Sequence, residues 1–339
     1  LHDVGPAYPE VFAPVALPSS PKKFKKHYPS LLVELEQRRC ASPKRIAIAR
    51  DLCRGAAARC FVRDERGHER PLHDLGLDAK PLPIERVSGT APEGWVPSFL
   101  YKGQAWRGKS IAAVVDDLEQ HGRTNQASAA VLRRALKRLG SEDSLVLRGE
   151  RFVVLGAGAE LAPTEALLRA GATVLWVDSV PPPKAFEAIG GELHHADGRA
   201  DLLQRPDEIA STVASFAEAG PAHVSLFAYS AGQGREWRLC AAMNSMLRTL
   251  PRSLIASVGM LVSPTTPTLL DQDDAASVEN SLLEQRGWRR ALLSTRLLRP
   301  PRALSSLPRV SDTIVPMQGT SYQAAQWIEK NLAMEVLAD

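Results

Sequence analysis

Residues 151–178, RFVVLGAGAELAPTEALLRAGATVLWVD, constrain the fold of this chain more than any other stretch. Phe152 to Leu155 is a continuous apolar run, as expected of a parallel strand buried on both faces. Gly156-Ala157-Gly158 then turns the chain where a side chain would block the close approach of a pyrophosphate. Pro163 and Thr164 open a helix with Leu167, Leu168 and Ala170 on its inner stripe, and Gly171 closes it. Val174 to Val177 reads as a second strand, and Asp178 ends it 22 positions after Gly156. A carboxylate at that place can accept hydrogen bonds from the hydroxyls of an adenosine ribose.

The same alternation continues downstream. Lys184 to Ile189 is a short helix, Gly191 to His194 a third strand running into Ala196-Asp197, Pro206 to Ala219 a helix, and His223 to Ala228 a fourth strand. Asp207 and Glu208 place negative charge at the start of the longer helix, where its dipole favours it. Strands separated by helices predict an α/β fold, here a Rossmann-like doubly wound parallel sheet with a mostly helical N-terminal accessory region. The expected division is a proline-rich arm over 1–29, an accessory region over 30–145 and a nucleotide-binding domain over 146–339. Glu160 and Ala162 occupy loop positions where glycine is common, and a carboxylate beside a phosphate site must turn outward. Asp178 without an arginine directly after it favours NAD over NADP.

Bulk properties set limits on the function. With 44% apolar and 24% charged residues among 339, the chain has the composition of an ordinary globule. A net charge of +4 does not point to nucleic acid. Cys40, Cys53, Cys60 and Cys240 fit no zinc or redox spacing, and His194-His195 alternate across a strand, so no metal site is expected. No apolar run has the length of a membrane span and no signal peptide is visible. The expectation is a soluble protein of a reducing compartment, cytosol or organelle stroma.

The front half is less regular. Six prolines fall within residues 1–29, followed there by Lys22-Lys23-Phe24-Lys25-Lys26, which reads as an arm laid on a neighbour or a domain surface. Helices are expected over Leu31 to Arg39 and after Ser42-Pro43, a small strand at Cys60 to Val62, and mainly loop from Pro71 to Pro97. GQAWRGKS at 103–110 matches the phosphate-loop pattern, yet Pro97 in the preceding segment and the bulky Trp106 and Arg107 argue against it. The plainer reading makes Ser110 a helix N-cap after a turn. A further helix, Gln126 to Leu139 capped by Thr124 or Asn125, should turn Leu132, Ala135, Leu136 and Leu139 inward.

From residue 150 onward the order of parts resembles the short-chain dehydrogenase/reductase superfamily. The third strand ends in Asp197, as the family's does near the adenine, and the fourth ends in Tyr229-Ser230-Ala231-Gly232, similar to the family's Asn-Asn-Ala-Gly turn. A helix carrying Asn244 follows, then a fifth strand from Leu254 to Val262 leading to Ser263, and a Tyr-x-x-x-Lys-like helix with Tyr322 and Gln326. The resemblance implies NAD or NADP held by Gly156, Gly158, Asp178, Asp197, Gly232 and Gln326. It implies catalysis by Tyr322 as proton donor, Ser263 polarising a carbonyl and Asn244 holding a water. Gln326 departs from the family's lysine. A phenol of pKa about 10 without a nearby cation is a poor acid or base at neutral pH, which leaves turnover in doubt.

An insertion over 266–316 separates Ser263 from Tyr322, and from Arg286 to Arg309 it carries seven arginines and no acidic residue. The segment is expected to form a basic amphipathic helix with Trp288, Leu292 and Leu293 near one face, either a substrate lid or a basic surface. Two functions follow. One is an NAD(P)-dependent oxidoreductase acting on a small-molecule substrate. The other is a non-catalytic relative that senses nucleotide or serves assembly, docking on a protein partner or a second copy of itself.

Overall fold

The computed structural model describes residues 1–63, 67–92, 94–230, 232, 234–283, 287–295 and 308–339. Among these residues the helices are α1 (Pro9–Phe12), α2 (Pro21–Ala41), α3 (Arg45–Ala58), α4 (Ile111–Gln120), α5 (Gln126–Lys137), α6 (Thr164–Arg169), α7 (Pro206–Glu218), α8 (Arg235–Thr249), α9 (Gln272–Leu283), α10 (Gly287–Ser294), α11 (Gly319–Gln323) and α12 (Ala333–Ala338). The strands are β1 (Phe61–Arg63), β2 (Glu69–Pro71), β3 (Glu85–Ser88), β4 (Ser98–Tyr101), β5 (Gln104–Arg107), β6 (Arg151–Leu155), β7 (Thr173–Val177), β8 (Glu192–His195), β9 (Ala222–Leu226) and β10 (Ile255–Met260). The chain divides into two units, one of Leu1–Ala56 with Val262–Asp339 and one of Ala57–Leu261, a division that differs from the expected boundaries. Among the described residues no helix is long and apolar enough to cross a membrane, and no group of His, Cys, Asp and Glu is placed to hold a metal ion.

In the first unit, the N-terminal segment is core. Val4, Tyr8, Val11, Phe12 and Val15 are buried with Tyr28, Leu32 and Leu35 of α2, Ile48 and Leu52 of α3, and Trp327 and Leu332 from the chain's end. The expected arm is instead a set of short turns whose prolines start them: Pro6, Pro9 and Pro14 each stand in the first helical positions, where the missing N–H costs nothing. Burying these side chains against α2 and α3 removes apolar area at roughly 25 cal/mol per Å².

A buried charge cluster lies within this core. Arg39 donates from Nε and Nη2 to the two carboxylate oxygens of Glu36 at 2.8 and 2.7 Å and pairs with Glu335 at 2.7 Å. Trp327 Nε1 donates to Glu36 at 3.0 Å. Burial, then the adjacent Glu36 carboxylate, pushes the Cys40 thiol up to about 12. All four cysteines are free thiols. Ellman's reagent at pH 8 should therefore leave Cys40 unmodified in the native protein and count four thiols after unfolding in urea. One fast-reacting native thiol traced to Cys40 would contradict this.

The second unit is built on a six-stranded sheet in the order β10-β9-β6-β7-β8-β3. β6 to β10 are parallel, and β3 adds antiparallel to β8 at the edge. Alternate residues of each strand face opposite layers. On one face Val154, Val174, Trp176 and Leu193 bury with Leu168 of α6. On the other, His194 meets Phe216 of α7 edge-on at 5.3 Å, and the Arg151 guanidinium lies 4.0 Å over the same ring. At the β10 edge, the His223 ring sits between Ser257 Oγ (2.7 Å) and Glu150 Oε2 (3.1 Å) and ties the edge strand to its neighbours.

β3 corrects the expectation of loop between Pro71 and Pro97. Only Val87 of its four residues is even partly buried, so an edge strand here leaves no alternation to read. GQAWRGKS is likewise not a phosphate loop. Gln104 to Arg107 are β5, paired in register with β4, so these backbone groups belong to a hairpin. Lys109 lies 3.5 Å from Asp143, and Ser110 Oγ accepts from the N–H of Arg107, three residues back, rather than capping α4. α5 forms where expected, capped by Asn125 accepting from Ser128 N, but Leu132 and Ala135 are exposed and Ala129 is its buried residue. α10 supplies the first half of the arginine-rich segment with Trp288 exposed, and 296–307 lie outside the described residues.

His194 is buried, and burial depresses its pKa below the ordinary histidine value, opposed by the hydrogen bond to Glu192. The unfolded ring, with a pKa of about 6.5, takes up a proton first as pH falls. Its contribution to stability is thus complete above that value and is lost as pH falls through the folded pKa. Urea melts of the native chain and of His194→Leu between pH 7.5 and 5 should show a shallower decline in the variant. Equal slopes would refute the assignment.

Candidate functional site

A cavity of about 790 Å³ opens at the carboxyl ends of β6, β7 and β9 in the second unit. That volume is in the range of small-molecule sites. Gly156, Gly158 and Asp178 all line it, so the three residues of the 151–178 stretch expected to meet a ligand do converge. The sheet order explains why: the chain leaves β6 toward β7 and β8 on one side and returns to β9 on the other. A crevice is left where the direction reverses.

Gly156 has φ of +82°, and a Cβ there would lie 2.3 Å from the N and Cα of Ala228. Its glycine is demanded by the crossing of two strand ends, before any ligand is considered. Gly158 differs: its nearest neighbours at a Cβ position are Asp178 Oδ2 and Trp176 Cζ2, both at 3.2 Å, and the residue is exposed toward the cavity. Thr164 Oγ1 donates to Ala157 O at 2.9 Å and braces the turn from the start of α6.

The Asp178 carboxylate is already engaged. Oδ2 accepts from Gly158 N at 2.9 Å and Oδ1 from Val180 N at 3.1 Å, so it ties the glycine turn to the segment after β7. Glu160 is exposed and does not line the cavity, which removes the expected repulsion. Asp197 is exposed in a left-handed conformation and does not line the cavity either; Ala200 to Gln204 take that wall. Gly232 donates its N–H to Glu236 Oε1 at 2.9 Å at the start of α8, while Ala231 lies outside the described residues. Asn244 is buried on α8 and is not part of the cavity lining.

Ser263, Tyr322 and Gln326 belong to the first unit. Gln326 Oε1 accepts from Ser263 N at 2.9 Å, and Ser263 Oγ lies 2.8 Å from Thr265 Oγ1. The Gln326 side chain thus holds the backbone at Ser263. After α11 the helix widens to a π-helix over Ala324–Leu332, which buries Gln326, Trp327, Glu329 and Lys330 before α12 resumes. Tyr322, half-buried, stands one residue before the end of α11.

Three arginines that the sequence reading did not single out line the cavity: Arg63 at the end of β1, and Arg235 and Arg238 in the first turn of α8. The i, i+3 spacing puts the last two on one helical face. That spacing was readable; the arrival of Arg63 from a separate hairpin was not. The chain matches no known family model, and comparison with curated proteins and with solved structures finds no significant match.

Proposed function

We propose that the second unit is a Rossmann-type domain that binds a dinucleotide of the NAD(P) class, in a protein that does not carry out short-chain dehydrogenase chemistry. One observation carries the first part. The cavity sits at the reversal of strand order and is walled by the glycine turn and Asp178, the place where open α/β sheets receive nucleotides. The residues suit the group: an exposed Gly158 lets the pyrophosphate approach the backbone N–H groups of the glycine turn. A bound nicotinamide dinucleotide would supply a hydride carrier, while this chain's own part is to hold the anion.

The second part is supported by Gln326, whose amide oxygen accepts from Ser263 N and which brings no charge to lower a phenol pKa. Nucleotide sensing or assembly, with a protein partner or a second copy, is then the working role. The oxidoreductase reading keeps its support in the order of parts from β6 to α11.

Calorimetry with NAD(H) and NADP(H) tests both. Micromolar binding that is lost in Gly158→Asp, where a second carboxylate meets the phosphates, is the expected result. Failure of all four ligands to bind would sink the reading. Carbonyl-dependent NAD(P)H oxidation abolished by Tyr322→Phe would reinstate the enzyme.

A further inference from the structure

From the charges lining the cavity, we infer that it selects a dinucleotide bearing an extra phosphomonoester on the adenosine ribose, the NADP class, over NAD; this rests on the dinucleotide reading above. The sequence favoured the opposite, because Asp178 ends β7 with no arginine after it. The carboxylate and the cations around the cavity both reverse that expectation.

NAD preference needs Asp178 to accept from two ribose hydroxyls. Each of its oxygens already accepts a backbone N–H, from Gly158 at 2.9 Å and Val180 at 3.1 Å, so half of its acceptor capacity is taken before a ribose diol arrives. These donors spread its charge into the backbone and fix its orientation toward the turn. Asp201, the other carboxylate lining the cavity, is also held, accepting from Leu203 N at 2.8 Å. Both acids on the wall act as local braces for loops.

Arg63, Arg235 and Arg238 face the same cavity. Arg63 pairs with Glu69 across the β1–β2 hairpin. Among the described residues no carboxylate pairs with Arg235 or Arg238, and both are exposed. Two guanidiniums at i and i+3 on one helical face can together hold a dianionic phosphate and have no use for a neutral ribose diol. A pyrophosphate carries one negative charge per phosphorus and is served by backbone N–H groups at the glycine turn. The added phosphomonoester, with a second pKa near 6, is the group whose charge needs the arginines.

The test is a set of titrations of the full chain with NADPH, NADH and coenzyme A, followed by intrinsic fluorescence at fixed ionic strength. NADPH should bind at least about tenfold more tightly than NADH, the equivalent of one charge-assisted hydrogen bond pair. In Arg235→Gln/Arg238→Gln the preference should collapse to about one with the NADH affinity unchanged, and circular dichroism should match the parent because both side chains are exposed. The native preference should also shrink as pH falls below about 6 and the phosphate loses its second charge. Equal or tighter binding of NADH overturns the inference while leaving the dinucleotide reading intact. So does a double variant that weakens both dinucleotides alike, since the arginines would then hold the shared pyrophosphate. Tighter binding of coenzyme A than of NADPH overturns the assignment to a 2′-phosphate. Binding of none of the three removes the dinucleotide reading itself.

Discussion

Gly156→Ala will abolish the native second unit or destabilise it by roughly 4 kcal/mol or more, in the class of the largest single-residue effects. The added methyl meets backbone, not side chain: Ala228 N and Cα stand 2.3 Å from it, and the carbonyl carbon of Phe227 2.8 Å. No rotamer relieves such a contact, so the ends of β6 and β9 must separate, breaking Phe227 N to Leu155 O at 2.8 Å. A φ of +82° adds strain of about 1 kcal/mol or more for any residue with a Cβ. Gly158→Ala is the control. Its nearest neighbours, Asp178 Oδ2 and the rim of Trp176, are side-chain atoms at 3.2 Å that need give by only a few tenths of an ångström, so it should cost about 1 kcal/mol or less. Urea melts of the two variants measure the contrast. Equal losses would mean that the turn, and not the strand crossing, demands the first glycine.

Glu36→Ala lowers the stability of the first unit by about 3 kcal/mol, because it leaves the Arg39 guanidinium buried with one carboxylate instead of two. Burial alone would pull the Arg39 pKa down; the hydrogen bonds and charge of Glu36, with help from Glu335, hold it above the ordinary value. Trp327 Nε1 loses its acceptor in the same step, which adds the cost of an unmade buried hydrogen bond, about 1 kcal/mol. A second readout comes from Cys40. With the Glu36 charge removed its thiol pKa falls, so Ellman's reagent should react with it faster at pH 9 than in the parent. Glu36→Leu/Arg39→Met should recover most of the lost stability, since an apolar pair needs no charge compensation. A single variant as stable as the parent would show the cluster to be dispensable.

The strands and helices of the second unit were legible because buried parallel strands are short, apolar and bounded by glycine. The predicted strand at 152–155 is β6, the one at 174–177 lies within β7, and the helix at 206–219 is α7 to within a residue. β3 was not legible: an edge strand with little burial obeys no pattern. The front segment was misread for a different reason. Its prolines suggested an arm, yet Val4, Val11, Phe12 and Val15 are spaced to fill a gap that exists only once α2 and α3 are in place. The resemblance to GxxxxGK[ST] failed because a pattern of eight letters does not encode whether its backbone is already paired.

For the site, the sequence alone determined the glycine turn and the carboxylate after β7, since both lie within one local strand-turn-helix-strand unit. Tertiary structure decided which charges share the cavity. Arg63, Arg235 and Arg238 come from places 172 and 3 residues apart. Asp197, although close to the end of β8, is exposed with a left-handed backbone and is not part of the cavity lining. Local pattern fixes what an element is, because its periodicity is set by its own backbone geometry. Which side chains meet across elements depends on strand order and on the direction of each return, and no local window holds that information.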